Sequence, residues 1–188
     1  MKIVLASSSP RRKIILSKLN IPFIVDFKNI KEPKYDTNLT PQEYCKKLSK
    51  MKALSVSLKY NNALIIGADT IVLLDNKVLG KPSDKKNAYK TLKSLSGRNH
   101  KVITGVSIIY NGIFHTFHDT TIVKFFKLND TEIKKYINTN APYDKAGSYG
   151  IQDYSAIFVE KINGCYDNVV GFPLSKFYNE LKKINLCL

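Results

Sequence analysis

The stretch KIVLASSSPRRKIILSKLNIPFIVDF, residues 2–27, predicts a β–α–β unit at the start of the chain. Residues 3–6 form a short apolar run typical of a buried strand, and residues 23–27 form a second one. Between them Ser9 can cap a helix, and Pro10 takes the first helical position, where its missing N–H costs nothing. The pattern therefore predicts a helix from Pro10 to about residue 19, joined to the first strand by a turn of small residues.

Two predicted hairpins indicate that the sheet is not purely parallel. Asp75-Asn76 separates the apolar run 64–74 from residues 77–79, and Asn111-Gly112 separates 102–110 from 113–126. These turn residues tolerate the positive φ that a tight hairpin needs. Capping signals open further predicted helices at Thr40, at Ser83, at Asn129 or Asp130, and at Pro173. Hairpins combined with β–α units predict an α/β fold with a mixed central sheet flanked by helices.

Length and composition indicate one packed domain. At 188 residues and 44% apolar content, the chain is long and apolar enough to bury a core. The net charge of +15 raises nucleic acid or a polyanionic ligand as a partner. The lysines are spread almost evenly, which is typical of a compositional bias rather than of one basic stripe. We therefore expect no dedicated nucleic-acid interface.

Cysteine usage and hydropathy predict a cytoplasmic protein. Cys45, Cys165 and Cys187 are odd in number and lack the short spacing of a metal site, which disfavours a disulfide framework or a zinc site. The apolar run 3–6 is far too short for a signal peptide, and no later stretch reaches membrane-spanning length. We expect no membrane partner.

The serine-rich turn is a candidate anion site. A strand-to-helix turn directs backbone N–H groups and the positive end of the helix at one point. Arg11 and Arg12 would repel that helix end, so a bound anion is the simplest compensation, and their planar donors suit phosphate. With Ser7 and Ser9 they are candidate substrate-binding residues. The alternative is a capped helix with solvated arginines.

Asp69 is the best catalytic candidate, since it interrupts an apolar strand within Gly67-Ala68-Asp69-Thr70. A lone buried carboxylate is costly unless it is paired or binds a metal. The alternative is an edge-strand aspartate in solvent. If Asp75-Asn76 is a two-residue loop, Thr70 lies opposite Lys81, and one hairpin would gather a carboxylate, a hydroxyl and an ammonium.

Further candidates are isolated polar residues in distinctive settings. Lys81, between a glycine and a proline, suits a fixed phosphate ligand. Lys52 lies near the buried stripe of a predicted helix, although a solvated face is the favoured alternative. Gln152, in a Gly-rich loop, can read a base edge by paired hydrogen bonds, and a plain loop is an equal alternative. His115 and His118 are three apart on a predicted strand and point to opposite faces, so we expect structural roles. No P-loop, dinucleotide-binding or hydrolase-elbow motif occurs.

Six strings in order resemble the Maf family of nucleoside triphosphate pyrophosphatases, once described as septum-formation inhibitors. They are SSSPRR (7–12), GADTIV (67–72), GKP (80–82), SGRNHKVITGV (96–106), DKAGSYGIQ (144–152) and NVVGFP (168–173). The resemblance spans nearly the whole chain. It implies one Maf-like domain over residues 1–188, an inosine triphosphatase-like sheet in two lobes around a cleft, and a homodimer. The implied reaction cleaves a nucleoside triphosphate between its α and β phosphates, with Mg²⁺ or Mn²⁺.

The resemblance also implies residue roles. Asp69 would accept a proton, and Glu32 would lie with it near the metal. Arg12, Lys52 and Lys81 would surround the phosphates. Arg12, Thr70 and Gln152 together resemble the group that prefers dTTP and UTP rather than the group that acts on 7-methyl-GTP. Modified pyrimidine nucleotides would extend that substrate range. Whether Asp69 removes a proton from water or only holds the metal stays open, because a carboxylate on Mg²⁺ is a weak base.

Two positions depart from the family pattern, and two rival functions remain. Asp153 stands where we expect glycine, and Ala141 where we expect glutamate. We hypothesise that Asp153 adds a metal or ribose contact. The rivals are a basic nucleic-acid-binding protein and a nucleotide-sensing regulator of division that does not cleave its ligand.

Overall fold

The computed structural model describes residues 1–186, so Cys187 lies outside the described residues. The strands are β1 (Lys2–Leu5), β2 (Ile24–Val25), β3 (Ala63–Leu74), β4 (Lys77–Leu79), β5 (Asn99–Tyr110), β6 (Ile113–Phe125) and β7 (Val159–Asn163). The helices are α1 (Pro10–Ser17), α2 (Pro41–Ser57), α3 (Lys85–Leu95), α4 (Asp130–Ile137), α5 (Tyr166–Val170) and α6 (Leu174–Lys183). Within residues 1–186, no helix has the length and apolar character needed to cross a membrane.

The seven strands form one mixed sheet in the order β2-β1-β3-β5-β6-β7, with β4 paired to β3. Strand β1 runs parallel to β2 and β3, because a helix-containing connection follows each of β1 and β2. The β3–β4 and β6–β7 pairs are antiparallel. The predicted mixed α/β fold is therefore confirmed.

The chain forms two compact units. Unit 1 contains residues 1–70, 104–119 and the described chain from 171 onward, and unit 2 contains residues 71–103 and 120–170. Three of the four boundaries between the units fall inside β3, β5 and β6, and the fourth follows the end of α5. The prediction of two lobes is in line with this division.

In unit 1, helix α2 packs backbone against backbone on the sheet. A Cβ atom on Gly67 would lie 2.2 Å from the Ser49 carbonyl oxygen, and one on Gly105 would lie 2.6 Å from the Cys45 carbonyl. Only glycine permits so close an approach. The Oγ atoms of Ser49 and Ser107 also lie 2.7 Å apart. These contacts determine which residues of α2 face β3.

In unit 2, an aromatic cluster surrounds a buried histidine. The ring of His100 stands edge-on to Phe125 and Tyr149, at centroid distances of 4.9 and 5.3 Å. His100 Nε2 lies 2.7 Å from the Tyr149 hydroxyl. Burial lowers the pKa of His100 to about 4, so the ring is neutral at pH 7.

Most helix starts follow the predicted capping residues. Ser9 caps α1, and Thr40 and Asn129 form complete capping boxes at α2 and α4. The prediction for α3 is wrong by one residue, because Asp84 rather than Ser83 accepts the Asn87 N–H, at 2.7 Å. Helix α5 is not among the helices predicted from the sequence.

Candidate active site

Arg12 is held by three oxygen acceptors in unit 1. Its Nε donates to the Gly171 carbonyl at 3.0 Å, and its two Nη atoms donate to Ser7 Oγ at 3.2 Å and Thr70 Oγ1 at 3.1 Å. All three acceptors are uncharged, and burial lowers the pKa of Arg12. The guanidinium is therefore fixed in orientation while its charge is not neutralised by these acceptors. The alternative of a solvated Arg12 does not hold.

Local capping builds the turn that presents Arg12. Ser9 Oγ accepts the Arg12 N–H at 3.5 Å, and Ser7 Oγ accepts the Ser9 N–H at 3.2 Å. The first turn of α1 contains no acidic residue and includes Arg11, which is half-buried. No side-chain carboxylate of that first turn offsets the positive end of the helix.

A second cluster joins Glu32, Lys52 and Asp69, also in unit 1. Lys52 Nζ contacts Asp69 Oδ1 and lies 2.9 Å from Glu32 Oε1. The Asp69 side chain is 9% exposed and that of Glu32 is 45% exposed, so the cluster runs from a buried to an open position. Two alternatives from the sequence are therefore wrong: Asp69 is not a solvated edge residue, and Lys52 does not lie on a solvated helix face.

Asp69 has a perturbed acidity. Burial raises the pKa of its carboxyl group, and the nearby charges of Lys52 and Arg12 oppose this shift without cancelling it. A buried carboxylate with a raised pKa is a stronger base than an exposed one once it is ionised. Such perturbed groups are concentrated at functional sites.

Strand β3 links the two clusters. Asp69 and Thr70 are successive strand residues, so their side chains leave opposite faces, one toward Lys52 and the other toward Arg12. The Oγ1 atoms of Thr70 and Thr104 lie 3.0 Å apart. One short segment thereby places a carboxylate and a hydroxyl beside two different cations.

Three residues of this site escaped the sequence analysis. Thr104 contacts Thr70, and Gly171 has φ of 127°, which favours glycine where its carbonyl receives Arg12. Cys45 is buried, donates through Sγ to the Asp69 carbonyl and accepts the Gly105 N–H, both at 3.1 Å. Gly171 and Thr104 lay within the quoted motifs, whereas nothing in the sequence distinguished Cys45.

Lys81 and Gln152 belong to unit 2, unlike the other predicted site residues, and both are exposed. The predicted pairing of Thr70 with Lys81 is wrong. The two-residue turn is as predicted, with Leu74 opposite Lys77, but the β3–β4 ladder ends at Leu79. It ends there because the Gly80 carbonyl instead accepts the Gly147 N–H at 3.1 Å.

Two further residues have structural partners. Arg98 contacts both carboxylate oxygens of Asp75 at 2.6 Å. His115 Nε2 lies 2.7 Å from Glu180 Oε2, in line with a structural role. Among residues 1–186, no group of three or more His, Cys, Asp or Glu side chains is arranged to hold a metal ion. Glu32 and Asp69 are the two carboxylates of the site that could contribute oxygen ligands to a metal ion.

The fold and the site define a class of protein, namely an α/β protein with a mixed central sheet. Its unit 1 presents the fixed guanidinium of Arg12 and two carboxylates that contact Lys52. Within that class, the family model described as Maf-like protein matches residues 2–184. The chain therefore belongs to the Maf family, and the predicted resemblance is confirmed.

Curated relatives match over almost the full length. The dTTP/UTP pyrophosphatase of Ruminiclostridium cellulolyticum is 47% identical over 185 residues, covering 97% of this chain and 96% of that protein. The dTTP/UTP pyrophosphatase of Thermosipho melanesiensis is 51% identical over 181 residues, covering 96% and 97%. Among solved structures, the nucleoside-triphosphatase / dITP/XTP pyrophosphatase of Mycobacterium abscessus has a TM-score of 0.42 at 14% identity, covering 68% of this chain and 76% of that one.

Proposed function

We propose that this protein is a nucleoside triphosphate pyrophosphatase that hydrolyses dTTP and UTP to the monophosphate and pyrophosphate. One observation carries the proposal: relatives named dTTP/UTP pyrophosphatase are 43–51% identical to it. Modified pyrimidine nucleotides are included in the proposed substrate range. The family match over residues 2–184 supports a single Maf-like domain that contains both compact units.

The arginine cluster suits a polyphosphate. Phosphoryl chemistry depends mainly on positioning and on neutralising developing charge. Within the described residues 1–186, Arg12 donates three of its five N–H groups to the protein, which leaves one on each Nη for a ligand. We assign Ser7, Ser9 and Arg11 to the same phosphate-binding turn, and Thr70 to the substrate contact that Arg12 shares.

Asp69 and Lys52 suit the reacting centre. The raised pKa of Asp69 favours its role as the group that accepts a proton from the attacking water. The Lys52 ammonium contacts that carboxylate and would balance negative charge as the α–β bond breaks. Lys81, exposed in unit 2, is assigned to the phosphates on the family resemblance.

A divalent cation, Mg²⁺ or Mn²⁺, fits the same carboxylates. Glu32 and Asp69 each contact the Lys52 ammonium through one oxygen, so two carboxylates converge on one small region, and a cation bound there would share it with that ammonium or displace it. Mg²⁺ is commonly bound by one or two carboxylates together with substrate phosphates. Glu32 and Asp69 would hold the cation, which supplies charge neutralisation to the phosphates when bound. An Asp69 carboxylate that holds the cation is a weak base, so proton acceptance and metal binding are alternative roles for this residue.

Selectivity and assembly rest on the resemblance. Gln152 is assigned to the nucleobase, because its amide offers both a donor and an acceptor to a pyrimidine edge. Arg12, Thr70 and Gln152 together form the proposed dTTP/UTP set. We further propose a cytoplasmic homodimer without a nucleic-acid interface, which light scattering and a DNA-binding titration would test.

A product assay tests the proposal. The protein is incubated with each common nucleoside triphosphate and Mg²⁺ or Mn²⁺, and monophosphate and pyrophosphate are quantified against a metal-free control. We expect equal amounts of the two products, fastest with dTTP and UTP and lost on chelation. Release of single phosphate contradicts α–β cleavage. Binding without products would favour a regulator, and salt-sensitive DNA binding without turnover would favour a nucleic-acid protein.

A further inference from the structure

Gln152 is exposed in a loop whose ends are tied together. The Gly150 N–H donates to Ser155 Oγ at 2.9 Å, and the Asp153 N–H donates to the Gly150 carbonyl at 3.3 Å. Residues 150–155 are therefore closed on themselves, with the Gln152 side chain outside the closure. The loop lies wholly in unit 2.

The Asp153 carboxylate adds further bonds inside this loop and one to a helix outside it. Its Oδ1 accepts the Ser155 N–H at 3.0 Å and lies 2.6 Å from Ser155 Oγ. The Asp153 side chain thereby caps the short 3₁₀ helix Tyr154–Phe158. The hydroxyl of Tyr136, a fully buried residue of α4, donates to the same oxygen at 3.4 Å. Asp153 thus joins the loop to α4.

Lys145 supports the loop through the second oxygen. Its Nζ lies 3.3 Å from Asp153 Oδ2 and donates to the Ala141 carbonyl at 2.5 Å. Its side chain is 12% exposed and crosses Gly150, where an added Cβ would lie 2.6 Å from Lys145 Cε. The Lys145 ammonium thus contacts the Asp153 side chain and the backbone of residue 141, and any residue at position 141 would supply that backbone carbonyl.

We propose that Asp153 is a positioning residue that holds Gln152 in place for nucleobase selection. This rests on the proposed function, in which Gln152 contacts the base. Asp153 Oδ1 accepts hydrogen bonds, whereas Oδ2 is buried and, within the described chain, has the Lys145 ammonium beside it without a hydrogen bond, so Lys145 is the cation that balances the charge of this residue. Fixing the loop before binding removes the ordering cost that a mobile Gln152 would add.

The test compares Asp153→Ala, Gln152→Ala and the double variant with the unaltered protein, using steady-state kinetics on dTTP and dCTP. We expect Asp153→Ala to raise KM for dTTP about fivefold and to lower the dTTP over dCTP preference, with kcat within about twofold. The double variant should match Gln152→Ala. Asp153→Asn, which keeps a capping oxygen and loses the charge, should be intermediate.

Asp130→Asn is the matched control, since Asp130 also pairs with a lysine in unit 2 but is half exposed and lies outside the loop. It should leave KM and preference unchanged. A folded Asp153→Ala with unaltered KM and preference overturns the proposal, as does a double variant whose losses multiply.

Equilibrium binding of α,β-methylene-dTTP separates this proposal from the proposed function. If the unaltered protein binds the analogue but forms no pyrophosphate from dTTP, the proposed function fails, and the affinities of the same variants decide the role of Asp153. If it neither binds the analogue nor forms pyrophosphate from dTTP, both proposals are overturned.

Discussion

At the scale of single residues, Asp69 shows how position changes chemistry. Asp75, six residues later, is exposed in a hairpin turn and pairs with Arg98, whereas Asp69 is buried beside Lys52. The same side chain is therefore a turn residue at one position and a candidate base at the other. Burial raises the pKa only where water is excluded.

Asp69→Asn should lower kcat about 10²- to 10⁴-fold, because the amide cannot accept the proton. Pyrophosphate release under saturating dTTP measures the effect, and far-ultraviolet circular dichroism checks the fold. Asp75→Asn is the matched control and should keep full activity, since asparagine also tolerates the positive φ of 50° at that turn. Full activity of Asp69→Asn would remove Asp69 from its proposed role.

His100 predicts how stability depends on pH. Its pKa is about 6.5 in the unfolded chain and about 4 in the folded one, so its contribution is complete above pH 6.5 and is lost as the pH falls through 4. Each tenfold change in proton affinity is worth about 1.4 kcal/mol, so the full loss is about 3 kcal/mol.

Urea unfolding of the unaltered protein and His100→Gln at pH 7, 5.5 and 4 measures this difference. The variant should lose less unfolding free energy on acidification than the unaltered protein does. Contributions from carboxylates are common to both proteins and cancel in the comparison. Parallel pH curves would contradict the assignment.

At the scale of elements, capping signals join residues that are close in sequence, whereas packing contacts join residues that are far apart in sequence. The capping boxes at Thr40 and Asn129 join residues three positions apart, so the sequence predicts where α2 and α4 begin. Helix α5 was missed because five residues are too few for a helical period to show. The packing of α2 on β3 depends on Gly67, whose contacts lie far along the chain.

Gly67→Ala should destabilise the protein by about 1–3 kcal/mol, because the new Cβ would overlap the backbone of α2. The measurement is the free energy of unfolding in urea. Gly80→Ala is the matched control, since an added Cβ there has no neighbour within 4 Å, and it should change stability by less than about 0.5 kcal/mol. Equal effects of the two substitutions would show that backbone crowding at Gly67 is not limiting.

At the scale of the whole molecule, the net charge of +15 acts on any polyanion that approaches. Summed charge raises the local concentration of an anionic substrate, and salt screens this attraction. We expect KM for dTTP to rise severalfold between 50 and 500 mM KCl with kcat nearly constant. Potassium acetate should act like KCl at equal ionic strength. A KM that does not change with salt would contradict electrostatic attraction.

The sequence by itself determined the local elements and the family. Strand and helix patterns, capping residues and hairpin turns depend on neighbours within a few positions, and six motifs in order identified the Maf family before any contact was known. Arg12 and Asp69 could be named as candidates because unusual residue types stood in unusual local settings, whereas the role of Lys52 was implied only by the family resemblance.

Only the tertiary structure decided what these candidates contact. The partners of Arg12 lie at Ser7, Thr70 and Gly171, up to 159 positions away, and Lys52 joins carboxylates from a loop and a strand. Burial, and with it the raised pKa of Asp69, arises only when distant segments exclude water together. A sequence pattern does not give the spatial distance between such segments, so the chemistry of the site depends on the folded chain.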